Sequence, residues 1–272
     1  MSLINLQDFE NKGWVIVDIP EKSYLNFFIE RLEFKCREFL GPNSTLKSVD
    51  KFLKTNEELK DFQSFLTNYL WDNEFSLNFV KSIKPFTDIL IGLNLMVQFK
   101  PFLRIARPGN RDDNIGFHKD TQYGQSPYEL AVHVPFVDLD ESSSLQVISG
   151  SHLHDEKNYT SIKSKNLIVS KGSLEHSLGK PYAPKNLAIP ENANPDFLDA
   201  KVGQVAIFSP ALFHGQEINN GNHTRVTTDL RIVDSNKSGL NIKIGKVHTG
   251  YISVFDSPVE KIAAKYFQSQ NS

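Results

Sequence analysis

The chain has 272 residues, 39% hydrophobic and 23% charged, which is enough apolar content for one sizeable core, so residues 1–272 are expected to form a single domain. Its formal net charge is -2, and Lys and Arg are spread along the chain without a basic block, which excludes a strong pull toward nucleic acid or an anionic membrane. No stretch approaches the ~20 apolar residues of a membrane span, and the N-terminus lacks the basic start and apolar run of a secretory leader, so the expected location is cytoplasmic.

The first 90 or so residues read mainly as helix, preceded by a short strand at Gly13-Trp14-Val15-Ile16-Val17. After Ser23, a suitable N-cap, Leu25, Phe28, Ile29, Leu32, Cys36, Phe39 and Leu40 recur at three- and four-residue intervals, the period of a helix with one buried face. Cys36 is the chain's single cysteine, so an intramolecular disulfide is excluded and the thiol is expected to be buried on this helix. Leu59, Phe62, Phe65, Leu66, Tyr69 and Leu70 repeat the pattern. From about residue 91 the period becomes that of strands: Leu93 to Phe99, Leu103 to Ala106, Glu129 to Val137, Leu145 to Ile148, Gln204 to Phe208 and Arg225 to Val233 are separated by Gly, Pro, Asn and Asp. Strands so spaced, without alternating helices, point to an antiparallel sandwich or barrel across 91–235. The stretch 152–200, with His152, His154 and His176, is longer than an ordinary connection and is expected to be an insertion covering the mouth of a site, and 236–272 is a C-terminal extension.

His118-Lys119-Asp120, with His214 following 94 residues after Asp120, stands out chemically. Two imidazoles and a carboxylate hold iron(II) on one face and leave the other positions open. If residues 118–120 are extended, His118 and Asp120 share a face and Lys119 takes the other. An HxD tripeptide alone says little, so its partners matter. Phe213 to Ile218 and His223 to Val233 flank Asn219-Asn220-Gly221-Asn222, and Asn-Gly favours a two-residue hairpin turn because both central positions need positive φ. That turn would pair His214 with Thr227 and Gln216 with Arg225, placing Arg225, Thr227, Asp229 and Arg231 on one face and Val226, Thr228, Leu230 and Ile232 on the other. A polar face of this kind usually meets solvent; the alternative is a cavity binding a metal and an anion, with the N-terminal helices sealing the apolar face. In that cavity the rigid fork of Arg225 suits a carboxylate.

These residues resemble the phytanoyl-CoA dioxygenase-like branch of the iron(II)/2-oxoglutarate oxygenases. The likeness lies in FHKD at 117–120, VHVPFVDLDESSSLQVISGSH at 132–152 and FHGQEINNGNHTRVTTDLRIV at 213–233, with the distal His eleven residues before the Arg, and extends to Phe9, Gly13, Trp14 and Val15. It implies a mainly β fold with α, a double-stranded β-helix or jelly roll of cupin-like form with N-terminal helices packed on the major sheet. It further implies that His118, Asp120 and His214 bind Fe(II), that Arg225 binds the 5-carboxylate of 2-oxoglutarate, and that His133, Gln216 and Thr227 lie beside this cosubstrate. His133 departs from the Trp or other large side chain frequent in the family.

The implied reaction couples oxidative decarboxylation of 2-oxoglutarate to succinate and CO2, using O2, with hydroxylation of a small, polar metabolite; desaturation, epimerisation and cyclisation use the same centre. A carboxylate at Asp120, where a halogenase would have Gly or Ala, argues against halogenation. Arg104, Arg107, Lys119, Tyr123 and Arg231 are candidates for substrate contact, with 110–114 and 152–200 as the facing loops. Two alternatives stay open at this point: a 2-oxoglutarate-independent cupin-like metalloenzyme, and a non-catalytic jelly-roll binding protein. The oligomeric state also stays open, since the twenty phenylalanines suit a large core and a dimer interface equally well.

Overall fold

The computed structural model describes residues 4–154, 161–162, 186–189, 192–216, 218–236 and 250–270. Helix α1 (Leu6–Lys12) is capped by the Asn5 side chain and ends at Gly13, whose φ of 83° suits a residue without Cβ. Strand β1 (Trp14–Asp18) follows, then α2 (Ser23–Leu40), α3 (Val49–Phe52), α4 (Asn56–Asp72), α5 (Phe75–Ser82) and α6 (Lys84–Leu90). Ser23 is the first helical residue and not the cap expected of it: Lys22 holds the cap position, and the Ser23 N–H donates to the Glu21 carboxylate. Helix α4 opens with a capping box in which Thr55 and Glu58 satisfy each other's backbone N–H.

The β region runs β2 (Leu95–Gln98), β3 (Leu103–Ala106), β4 (Glu129–Pro135), β5 (Gln146–Ile148), β6 (Ser161–Ile162), β7 (Asn186–Leu187), β8 (Asp196–Phe197), β9 (Gln204–Phe208), β10 (Phe213–Gly215), β11 (Arg225–Asp234) and β12 (Tyr251–Phe255), before the last helix α7 (Pro258–Gln270). The architecture is a jelly roll with helices. Its major sheet is antiparallel in the order β1-β9-β4-β11-β2-β12, with β3 also on β11, and its minor sheet is β10-β5-β8. β11 is the spine: Thr227–Val233 pair with β4 on one edge, and the other edge is shared by β3 and then β2. The sequence reading ended the jelly roll at residue 235; β12 extends the major sheet beyond it by pairing with β2. Of the 152–200 insertion, the ends and two short pieces fall in the described residues, and His176 lies outside them.

The larger core lies between the outer face of the major sheet and the N-terminal helices. Leu25, Phe28, Leu32 and Cys36 of α2 and Leu59, Phe62, Leu66 and Leu70 of α4 are buried against Val132, Val134, Val226, Leu230 and Ile232. Phe75 is its aromatic centre, with ring centroids 4.6 Å from Phe28, 5.2 Å from Phe79 and 5.5 Å from Phe136. Removal of each such ring from water stabilises the fold by about 1.5–3 kcal/mol. Polar groups tie the layers together: Gln63 Nε2 donates to Leu103 O at 2.8 Å and Trp71 Nε1 to Pro101 O at 2.6 Å. A smaller cluster of Ala131, Val147, Leu198, Ala206, Phe208 and Leu212 joins the inner face of the major sheet to the minor sheet.

The Asn-Gly hairpin does not form. His214 pairs with Val147 of β5 in the minor sheet, whereas Arg225–Thr228 pair with β3 in the major one. Neither Asn220 nor Gly221 has positive φ. The buried Asn219 supplies the reason: its Nδ2 donates to Ala106 O and His223 O, and its Oδ1 accepts from Gly221 N–H, so the loop is pinned to the end of β3 and arches between the sheets. Residues 118–120 are likewise not a strand: His118 forms an isolated bridge with His214, and Asp120 begins a 3-10 turn, Asp120–Tyr123.

Candidate metal centre and its charged wall

The two histidines are brought together by backbone. His118 N–H donates to His214 O at 2.8 Å and His214 N–H to His118 O at 3.0 Å, so their side chains lie side by side with ring centroids 4.5 Å apart. Gly215 permits this approach, since a Cβ there would stand 2.6 Å from Phe117 Cα and 2.7 Å from its N. Each imidazole is oriented by a carbonyl. His118 Nδ1 donates to Gly116 O at 2.7 Å and His214 Nδ1 to Leu212 O at 2.9 Å. A carbonyl only accepts, so each Nδ1 carries a proton and Nε2 is the nitrogen turned toward the other members of the cluster.

Asp120 Oδ1 lies 3.4 Å from His118 Nε2 and 3.9 Å from His214 Nε2. These three donor atoms fall within 4.8 Å of one another, and all three residues are buried. Burial alone would raise the Asp120 carboxyl, but Arg231 and the two histidines hold it well below the usual carboxylate range. Burial, reinforced by the neighbouring His118, pushes His214 down to about 4, so its lone pair is available at neutral pH. A carboxylate oxygen and two imidazole Nε2 atoms converging in this way can accept a divalent cation.

The polar face of β11 turns inward. Arg225 and Thr227 are buried, Asp229 stands directly opposite His133 of β4, and Arg104 of β3 stands opposite Thr227. His133 Nδ1 and Asp229 Oδ1 are 2.6 Å apart. Burial opposes ionisation of Asp229, yet His133, Arg231 and Arg104 keep it well below the carboxylate range. Arg225 meets neutral oxygens: its Nη1 donates to Gln216 Oε1 and Ser143 O, and its Nη2 to Asn114 Oδ1 at 3.0 Å. Burial lowers its guanidinium to about 10, which leaves it charged at neutral pH. Arg225 Nε, Thr227 Oγ1, His133 Nε2 and Ser144 Oγ are buried without a partner among the described residues. Such atoms cost about 1–3 kcal/mol each unless a ligand or water satisfies them.

Of the residues singled out from sequence, His118, Asp120 and His214 form one cluster, while Arg225, Gln216, Thr227 and His133 belong to the wall. Gln216 and Arg225 meet although they are not paired in a hairpin. Three substrate candidates take other places. Arg107 ion-pairs with Asp113 at 2.8 Å and donates to Leu53 O, Thr55 O and Asn56 Oδ1, so its fork is engaged in binding helix to loop. Lys119 points away from Asp120 and donates to Ser151 O at 2.8 Å and His154 O at 3.0 Å, pinning the segment after β5. Arg231 Nη2 donates to Asp120 Oδ2 at 2.6 Å. Tyr123 stays beside the cluster, its ring 5.5 Å from that of His118. Sequence reasoning missed Asn114, whose only signal was its place in a loop before HxD, and it gave Asp229 no role beyond a position on the strand.

No protein-family model and no curated protein matches the sequence. Solved structures do. The apo form of the non-heme monooxygenase ThoJ is 16% identical, over 84% of this chain and 76% of that one, with a TM-score of 0.49. The epimerase SnoN, in complex with Fe3+, alpha ketoglutarate and a nogalamycin compound, is 14% identical over 84% and 82%, TM-score 0.48. AviO1 from Streptomyces viridochromogenes is 14% identical over 86% and 97%, TM-score 0.46. At such identities the chemistry rests on the residues of the site itself.

Proposed function

We propose that this protein is an iron(II)- and 2-oxoglutarate-dependent oxygenase that hydroxylates a small, polar metabolite. The observation that carries the reading is a buried triad of two imidazole Nε2 atoms and one carboxylate oxygen beside a buried guanidinium that meets neutral oxygens. The donor set suits iron(II), and the unsatisfied polar atoms of the wall suit a small dicarboxylate. When bound, iron(II) with 2-oxoglutarate supplies oxygen activation coupled to loss of CO2 and formation of succinate.

The chain's own residues have separable tasks in this reading. His118, Asp120 and His214 hold the metal on one side and leave the other open. Arg225 grips the distal carboxylate with two parallel N–H groups, while Gln216 and Asn114 hold its guanidinium in plane. The Thr227 hydroxyl offers a further hydrogen bond, and Asp229, 2.6 Å from Nδ1, fixes the His133 ring. Tyr123, with its ring 5.5 Å from that of His118, is the residue proposed for substrate contact.

The test is an anaerobic titration with iron(II) and 2-oxoglutarate that follows the visible charge-transfer band in wild type and Arg225→Ala. Wild type should show the band. Arg225→Ala should bind iron normally but lose about 1.5–3 kcal/mol of cosubstrate binding, a weakening of roughly 10-fold or more. Iron binding without a band in wild type would favour a cupin-like enzyme independent of 2-oxoglutarate, and no iron binding would favour a jelly-roll binding protein.

A further inference from the structure

We propose that Arg231 is the positioning residue of the centre, holding Oδ2 of Asp120 so that the carboxylate offers a metal the single oxygen Oδ1. This rests on the metal-binding reading of the triad. The two oxygens of Asp120 face different partners: Oδ2 is 2.6 Å from Arg231 Nη2, while Oδ1 is the atom turned to His118 Nε2 at 3.4 Å and His214 Nε2 at 3.9 Å. A carboxylate free to rotate can ligate through both oxygens and fill an additional position; one whose second oxygen is committed to a guanidinium cannot do so without breaking a charge-assisted bond.

The fold gives Arg231 this reach. It lies on β11, paired there with β4, and its cross-strand neighbour is the small Ala131, which leaves room over the inner face. Asp120 sits on a 3-10 turn and not on a ladder, so its own backbone constrains the carboxylate less than the bridge constrains the two histidines. The guanidinium supplies the missing constraint from the opposite side. Partners that orient a ligand typically contribute 10–100-fold to metal affinity.

The experiment uses the full chain, metal-free, titrated anaerobically with Ni(II) by calorimetry, for wild type, Arg231→Gln and Arg231→Lys, with thermal melts of each apo form as a folding control. Arg231→Gln is expected to bind Ni(II) about 10–100-fold more weakly. Arg231→Lys, which keeps the cation but not the planar fork, should recover part of that loss. Loading with Co(II) gives a second readout: its visible bands report coordination number and should change in Arg231→Gln, which a purely structural role would not produce. Unchanged or tighter Ni(II) binding in Arg231→Gln would overturn the proposal. Should that variant not fold, Arg231→Lys decides alone, an affinity loss of about threefold or more supporting the fork and an unchanged affinity overturning it. A wild type that binds no metal would overturn the metal centre itself, whereas metal-binding wild type with indifferent variants would remove only the role of Arg231.

Discussion

The two faces of β11 follow opposite rules within one strand. Outward, Val226, Leu230 and Ile232 pack against the helical layer in apolar contacts that are interchangeable within limits of volume. Inward, Arg225 and Thr227 are buried and Asp229 and Arg231 partly so, yet they are charged or polar and each has a specific neighbour or an unsatisfied atom. The outer face gains stability from burial. The inner face carries a desolvation cost that its ion pairs offset only in part. Burial by itself therefore does not separate core from site in this molecule; the fate of the polar atoms does.

That contrast can be broken most severely from the outer side. Phe75→Ala removes the ring at the centre of the aromatic cluster and should destabilise the protein by about 3–5 kcal/mol in denaturant unfolding, while the folded fraction keeps wild-type metal stoichiometry. A loss of metal binding in folded material would mean that the two faces are not independent. Gly215→Ala tests the seam between them. Its Cβ would strike the Phe117 backbone, so a loss of about 1–3 kcal/mol is expected, accompanied by weaker metal binding because the two histidines move apart. Stability loss without any metal effect would show that the bridge does not set the ligand spacing.

Smaller changes sharpen the comparison. Thr227→Val removes a buried hydroxyl that has no partner among the described residues. Melting should be unchanged or slightly improved, with 2-oxoglutarate binding weakened by about 1 kcal/mol, the worth of one hydrogen bond; a clear loss of stability would assign the hydroxyl a structural partner instead. The smallest effect concerns Cys36. Burial pushes its thiol up to about 11, despite the thiol's hydrogen bond to Ser44 Oγ, so the native thiol stays protonated while the unfolded one ionises from about 9. The unfolded state then binds fewer protons, and stability falls as pH rises from 9 to 11. Cys36→Ala should flatten that part of the alkaline melting curve, and an unaltered slope would mean that other groups, such as Tyr24 with its hydroxyl raised to about 12, dominate.

Much of the molecule was readable in one dimension. The strands at Leu103–Ala106 and Gln204–Phe208 and the helices over 23–40 and 56–72 follow from local periodicity, because apolar residues recur wherever an element buries one face. The candidate ligands were readable for a different reason: an imidazole pair and a carboxylate at fixed spacing are chemically distinctive whatever the fold does around them. Where local preference competed with tertiary demand it failed. Asn219-Asn220-Gly221 has the composition of a tight hairpin, but the buried amide of Asn219 finds better partners at the end of β3 and draws the chain across to the other sheet. Gln216 and Arg225 meet all the same, so a correct contact came from an incorrect pairing.

What the sequence determined by itself was the inventory: which segments are helix or strand, which side chains can bind a metal or an anion, and that one face of residues 225–231 is polar. What only the tertiary structure decided was direction. Arg107, Lys119 and Arg231 are alike as cations in a sequence, yet the fold turns the first onto Asp113, the second onto the carbonyls of Ser151 and His154, and the third onto Asp120. The physical reason is that a charge removed from water must find its counterpart within hydrogen-bond reach, and which counterpart lies in reach is a property of the packed sheets and not of chain order.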